Sequence, residues 1–418
     1  MGFMPAQVVL ISLDGFPADA WADPLLPAPA LRKLAAQGAS AKRMKTVNPT
    51  VTWPNHTALV TGVSPARHGV LYNGMLERPG PRQPVKVEPW RDKAKMVRVP
   101  TVYDLAHQAG LTTAQVDWVA IYNAASITWQ FPEVPAAGGK IEGEMIAKGL
   151  AAESEIANFG KLGITLRDQI WTRAAGHILR EHRPNLLLYH LLNLDSTHHT
   201  YGPKGLASMS GIAFADGQVK ELLEAVDLAS TTVFVVSDHG FSGVTRTIRP
   251  NAALHYHGLI ELKGAAIVCE AYVVPEGGTA MVYALNPAVL PRLKEIFAKI
   301  PGIDRVIEPA DFAALGMPHP KDYNQMADLV LSAKPGFAFS GAAEGEFSDT
   351  TAKPVTGSHG YLSSNSEMDA IFIASGYGVK KGARLDQITN RDVAPTIAKL
   401  LGLKMEGVEG RVLDDILE

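Results

Sequence analysis

TTVFVVSDHG, Thr231–Gly240, decides how the rest of the chain is read. Its first residues are all β-branched or aromatic, and the run stops abruptly on Ser237, Asp238, His239 and Gly240. A strand with no polar alternation is apolar on both faces, the condition of a parallel sheet covered by helices. Four other stretches repeat the pattern: QVVLISLDG (7–15), TTAQVDWV (112–119), NLLLYHLLNLD (185–195) and MDAIFIASG (368–376). Helical stretches lie between them. PALRKLAAQG (29–38) opens on a proline and closes on a glycine, while LRDQIWTRAAGHILREH (166–182) and GQVKELLEAVD (217–227) space apolar residues three and four apart. Alternating strands and helices predict an α/β fold with a mostly parallel sheet sandwiched by helices.

Two regions break the rhythm. Residues 121–166 are rich in Ala, Gly and Glu and read as an insertion over the site. Residues 251–341 hold a strand-like AAIVCEAYVV, a PEGG hairpin signal, a second strand TAMVYAL and the helix NPAVLPRLKEIFAKI. They read as a small inserted α+β cap subdomain, leaving 1–250 and 342–418 as the catalytic core.

Bulk properties narrow the function. The 418 residues are 46% hydrophobic and 19% charged, with a net charge of −3. No basic excess is available to neutralise a run of phosphates, so duplex nucleic acid is excluded as the default partner and a small molecule is expected. Oligomeric state is not legible. Cys269 is the single cysteine, so any metal site must use oxygen and nitrogen ligands. No apolar run reaches bilayer length. The first strand is expected within a few residues of Met1, so if the native protein is exported its leader is expected to lie outside this sequence.

In open α/β sheets, ligands bind outside the carboxyl ends of the strands. There the sequence places Asp14, Asp195 with His199, and Asp238 with His239, while His359 stands in the turn GSHGY ahead of the last apolar strand. A single aspartate after a strand is ordinarily a turn former. Six residues of ligand type on one rim are better explained by metal. Asp and His without Cys suit zinc or manganese in a hydrolase, and three carboxylates with three imidazoles suffice for two ions with open positions. In NPTVTWPNHTALVTG (48–62), Pro54 marks a helix start. Thr52 is then either a plain N-cap or a hydroxyl nucleophile at an anion-binding helix end.

Together LISLDGF, TVTWPNHTALVTG, DSTHHTYGP, SDHG and GSHGY resemble the alkaline phosphatase superfamily, in particular its nucleotide pyrophosphatase/phosphodiesterase branch. The resemblance spans most of the chain. It implies that Asp195, His199 and His359 hold one zinc ion, and that Asp14, Asp238 and His239 hold the other. It makes Thr52 the nucleophile, also bound at the second ion, and implies a covalent phospho-threonine intermediate. Asn73, in GVLYNG, matches the asparagine that hydrogen-bonds a non-bridging phosphate oxygen. His198 is set aside in favour of His199, and His56 and His68 are read as structural. Relatives of this kind are commonly exported, so the expectation leans to a periplasmic or secreted protein.

A neutral Asn73 suits the single charge of a phosphodiester, whereas a monoester dianion is usually met by added cations. Lys140, Lys148 and Lys161 in the first insertion are the candidates for such cations. They would point instead to a phosphomonoesterase or a phosphonoacetate hydrolase of the same superfamily. Trp53, Trp118 and Tyr122 are candidate substrate-binding aromatics. The chain departs from the family's nucleotide binders just before Asp195, where it reads YHLLNLD. No G-x-S-x-G elbow or Walker glycine loop is present. A degenerate metal-binding protein without activity would require a lost ligand or nucleophile, and none is lost.

Overall fold

The computed structural model describes residues 7–264 and 266–418. Its main sheet has eight strands: β1 (Gln7–Leu13), β2 (Ala39–Lys45), β3 (Thr113–Val116), β4 (Trp129–Phe131), β5 (Leu186–Leu191), β6 (Thr231–Val236), β7 (Ala370–Gly376) and β8 (Arg384–Thr389). They lie in the order β8-β2-β7-β6-β1-β5-β3-β4. From β6 through β1, β5 and β3 to β4 every pairing is parallel. Strand β7 runs antiparallel to both β6 and β2, and β8 is parallel to β2. The sheet is therefore mostly parallel with one reversed strand.

The unbroken apolar runs are explained by what covers them. On β1, Val9, Ile11 and Leu13 pack beneath helices Pro29–Gln37, Ile164–Glu181 and Leu206–Leu223. Val8 and Leu10 face the other layer, with helices Thr52–Thr61, Val102–Gln108 and Val393–Leu400. All five side chains are fully buried. At about 1.5–3 kcal/mol each, they contribute on the order of 10 kcal/mol against chain entropy. A polar residue on either face of this strand would find no water, which is why no alternation is visible.

Residues 121–166 do not form one insertion. Trp129–Phe131 joins the sheet as edge strand β4, and helix Lys140–Ala147 buries Ile141 and Met145 in the same core as helix Ile164–Glu181. Residues 251–341 build a second, antiparallel sheet in the order Ala271–Glu276, Thr279–Ala284, Leu329–Ala333, Ile303–Ile307, around a separate apolar cluster. The run AAIVCEAYVV is two strands rather than one, Ala266–Cys269 and Ala271–Glu276, and Ala265 lies outside the described residues. Residues Gln83–Pro84 pair with the first of these, so this lobe also draws on chain far upstream.

Candidate metal centre and nucleophile

Two groups of ligand-type side chains converge at one end of the sheet: Asp195, His199 and His359, and Asp14, Asp238 and His239. Asp14 follows β1, and Asp238 and His239 follow β6. Asp195 and His199 lie one turn apart on helix Asn193–Tyr201, which starts directly after β5, so both project from one face. His359 reaches the same end for a different reason. Its strand β7 is reversed, so the residues preceding it arrive at the rim where the parallel strands finish. Segment Thr356–Ser358 also pairs with Ser242–Val244, tying His359 to the chain leaving His239.

Each imidazole is oriented by its backbone contacts. Nδ1 of His199 faces the Gly357 carbonyl at 3.2 Å, that of His239 the Gly240 carbonyl at 3.1 Å, and that of His359 the Thr50 carbonyl at 3.1 Å. Donation from Nδ1–H leaves every Nε2 lone pair free for a ligand. These Nε2 atoms stand 3.4 Å (His199) and 3.8 Å (His359) from Asp195 Oδ1. His239 Nε2 stands 3.4 Å from Asp14 Oδ1 and 3.2 Å from Asp238 Oδ2. Donors bound at about 2.0–2.1 Å around one tetrahedral ion sit about 3.3 Å apart. Asp14 Oδ1, Asp195 Oδ1, Asp238 Oδ2 and His239 Nε2 are all buried without a hydrogen-bond partner. Orphaned buried polar atoms are costly, and here they are the atoms a cation would satisfy. The residues present fit two divalent ions.

Electrostatics agree with that fit. Burial holds the His239 imidazole down at about 4, and burial with the neighbouring His239 and His199 holds His359 well below the ordinary range. Burial, followed by the charge of Asp14, pushes the carboxyls of Asp195 and Asp238 far up. Burial also opposes ionisation of Asp14, but a hydrogen bond from His190 and the nearby imidazoles outweigh it and hold its carboxyl low. Neutral imidazoles are the state a metal ion needs, and a bound cation would supply the charge that lets the crowded Asp195 and Asp238 ionise.

Helix Thr52–Thr61 runs along this rim. Val51 occupies the N-cap, so Thr52 is the first helical residue and makes no capping bond. The plain N-cap reading of Thr52 is overturned by that shift of one position. Thr50 is held against His359, and His56 lies 3.5 Å from Asp238 Oδ2, so along the chain Thr52 is flanked by residues that contact the two groups. Asn73 Oδ1 accepts the Trp53 N–H at 2.9 Å, which fixes the amide at the helix start with its Nδ2 donors unspent among the described residues.

Other sequence candidates are also placed. His198 bonds Gly15 O and Ser208 Oγ, away from the ion groups, and His68 is buried with Nδ1 accepting from Val70 N. His56 bonds its own helix through Thr52 O. Two of the three lysines are held at the far end of the sheet. Lys148 pairs with Glu181, which precedes β5 at the opposite end of the sheet; Lys140 lies over Trp129 at the start of β4; and Lys161 meets Asn158. Trp53, Trp118 and Tyr122 share one cavity, where Trp90 joins them.

Sequence reasoning passed over His190 and Asp117. His190 Nε2 lies 2.9 Å from Asp14 Oδ2, and its Nδ1 faces Asp117 at 3.0 Å to the carbonyl and 3.2 Å to the carboxylate. A lone histidine in an otherwise apolar strand was the available signal. Gly15 has φ +70° and gives its N–H to Asp238 Oδ1 at 3.1 Å, and a Cβ there would strike the Phe241 ring.

Residues 8–362 match the family model described as type I phosphodiesterase / nucleotide pyrophosphatase. The chain belongs to this family. It is 23% identical over 408 residues to a bis(5'-adenosyl)-triphosphatase, enpp4, of Xenopus laevis, covering 95% of this chain and 78% of that protein. Ectonucleotide pyrophosphatase/phosphodiesterase family member 7 of Rattus norvegicus is 22% identical over 423 residues, 97% of this chain and 85% of its own. Among solved structures, murine ectonucleotide pyrophosphatase/phosphodiesterase 5 superposes with a TM-score of 0.75 at 17% identity, covering 99% of this chain and all of that one. An inactive threonine-to-alanine form of that mouse protein was solved in complex with AMP. Membership of this phosphodiesterase family makes the chain a hydrolase of phosphate esters or anhydrides. No helix among the described residues is long and apolar enough to cross a membrane.

Proposed function

We propose that the rim is the active site of a phosphodiesterase or nucleotide pyrophosphatase in which Thr52 is the nucleophile. The observation that carries this reading is the set of orphaned, buried carboxylate and imidazole atoms gathered at the rim, where His359 contacts Thr50 and His56 lies beside Asp238. Asp195, His199 and His359 would hold one divalent ion, and Asp14, Asp238 and His239 the other, with Thr52 also at the second. Zinc suits this nitrogen and oxygen set, and manganese is its nearest substitute. When bound, the ions supply the positive charge that lowers the hydroxyl pKa of Thr52 and offsets charge on the phosphate.

The protein's own groups do the rest. Thr52 gives its hydroxyl proton to solvent and its Oγ attacks phosphorus; the P–O bond to the leaving group breaks, and that oxygen takes a proton from solvent as it leaves. Water then displaces the Thr52 oxygen from the phospho-threonine and restores the enzyme. Asn73 Nδ2 donates to a non-bridging oxygen, and its bond to Trp53 N keeps it in place without reorganisation. Burial of Asp14, Asp238 and His239 keeps screening water from their ion group, while Asn73 meets the phosphate on the exposed side.

A diester is favoured over a monoester because the candidate cations for a second phosphate charge are engaged with other partners. Lys140 and Lys148 are held at the far end of the sheet, Lys161 hydrogen-bonds Asn158, and the Arg91 guanidinium is paired with Glu77. The AMP bound by the mouse relative is the kind of monophosphate that cleavage of a nucleotide diester leaves. The test is kcat/KM on bis-p-nitrophenyl phosphate beside p-nitrophenyl phosphate, with Thr52→Ala as blank. Faster turnover of the diester is expected, and a monoester preference would refute the assignment.

A further inference from the structure

Strand β5 lies between β1 and β3, and its His190 stands between the aspartates that follow those two strands. Nε2 gives its N–H to Asp14 Oδ2 at 2.9 Å, and Nδ1 gives its own to the Asp117 carbonyl at 3.0 Å, with the Asp117 carboxylate 3.2 Å away. Carbonyl and carboxylate oxygens only accept, so both ring nitrogens donate and His190 has no lone pair left for an ion. The histidine and both aspartates are at most 2% exposed. Asp117 also has φ +55°, a conformation costly for a residue with a Cβ, and in it the carbonyl and the carboxylate face the same nitrogen. Such strain persists only where the surrounding structure imposes it.

The consequence falls on Asp14. Its Oδ2 is spent on His190, while its Oδ1 is the orphan that stands 3.4 Å from His239 Nε2. Asp238 repeats the plan: Oδ1 accepts from Gly15 N at 3.1 Å, and Oδ2 is the orphan, 3.2 Å from His239 Nε2. Each carboxylate of this group has one oxygen to offer. Asp195 in the other group is acted on by burial and by the charges of Asp14 and His190, with no hydrogen bond holding either oxygen among the described residues. Resting on the two-ion reading above, we infer that His190, braced by Asp117, is a positioning residue that leaves Asp14 a single oxygen to give and so sharpens the preference of the Asp14, Asp238 and His239 group for zinc over larger divalent ions. Zinc prefers a tetrahedron of few ligands, which carboxylates restricted to one oxygen supply without crowding. Manganese and calcium take more oxygen ligands, and a carboxylate free to turn can give them both of its own. The Asp195 group lacks this restraint and discriminates less.

The experiment strips the protein of metal with a chelator and titrates zinc or manganese back against a competing fluorescent chelator. It reads the number of ions bound per chain, the dissociation constant of each, and the zinc-over-manganese affinity ratio of each. The wild type should bind two ions, one with the larger ratio. In His190→Leu the zinc affinity of that ion should fall by about ten- to hundredfold and its ratio should fall with it, while the other ion is unchanged. His190→Gln, whose amide N–H reaches the place of Nε2, should restore both quantities. Asp117→Asn should fall between the wild type and His190→Leu, and it decides the question if His190→Leu does not fold. Wild-type affinity and ratio in a folded His190→Leu or in Asp117→Asn overturn the inference. So do a His190→Gln that behaves like His190→Leu, and a loss of affinity with an unchanged ratio, which a merely structural role would give. A wild type that binds fewer than two ions overturns the rim reading and this inference together, so the wild-type count tells the two failures apart.

Discussion

Histidines and carboxylates cluster at both ends of the main sheet, and the two clusters are built differently. At the rim, imidazole nitrogens and carboxylate oxygens stand 3.2–3.8 Å apart, and several have no hydrogen-bond partner. At the opposite end, Glu144 Oε2 accepts from His177 Nε2 at 2.8 Å and from His182 Nε2 at 2.7 Å. The His182 ring is stacked on Trp129 at 3.9 Å, and Glu144 is 29% exposed. Both clusters have a composition that zinc accepts. One has hydrogen-bond spacing and no orphaned buried atom, and the other has the spacing of donors around a shared ion. Residue type therefore marks a candidate, and spacing with satisfaction separates a metal site from a hydrogen-bonded clasp.

The largest test of that contrast is Thr52→Ala. Diester hydrolysis should fall by about three orders of magnitude or more, while metal analysis still finds both ions. Residual turnover near wild type would remove the rim from the chemistry altogether. Next comes the metal count itself. His359→Ala should lose one ion per chain by elemental analysis, whereas Glu144→Gln should leave the count unchanged. If Glu144→Gln also loses an ion, the two clusters are alike and the spacing argument fails.

Smaller effects sharpen the picture. Asn73→Ala should raise the barrier by about 2–4 kcal/mol, read as kcat/KM, because its donor acts on charge that grows in the transition state. Glu144→Gln should cost about 1 kcal/mol of stability by denaturant titration at neutral pH, since water reaches part of the pair. Its pH dependence has a definite sign. Burial works against the Glu144 carboxylate, but the two imidazole hydrogen bonds hold its pKa below the ordinary value. Its contribution is therefore present above the ordinary carboxylate pKa and is lost as pH falls through the depressed one. A deficit that instead widens in acid would show that Glu144 does not carry it.

Much of the rim was legible because its signals are local. An apolar run that ends on Asp14 or on Asp238 and His239 needs no neighbour to be read as a strand meeting a site. Asp195 and His199 needed only the helical repeat to be put on one face. His190 was not legible in the same way, since a buried histidine in a strand declares nothing until the adjoining strands bring Asp14 and Asp117 to its two nitrogens. The segment 121–166 misled for a related reason. Its Ala, Gly and Glu content hides a strand of three residues, too short to show periodicity, that exists because β3 offers it an edge.

By itself, then, the sequence determined the apolar strands β1, β3, β5, β6 and β7, the helix start that carries Thr52 and the ligand-type residues, because these depend on short-range pattern and side-chain chemistry. Tertiary structure alone decided that β7 is reversed and so delivers His359 to the rim. It also decided that Lys140 and Lys148 belong to the far end, and that four aromatics share one cavity. Those outcomes depend on strand order and direction, which are set by packing over the whole sheet and leave no trace in any single stretch of chain.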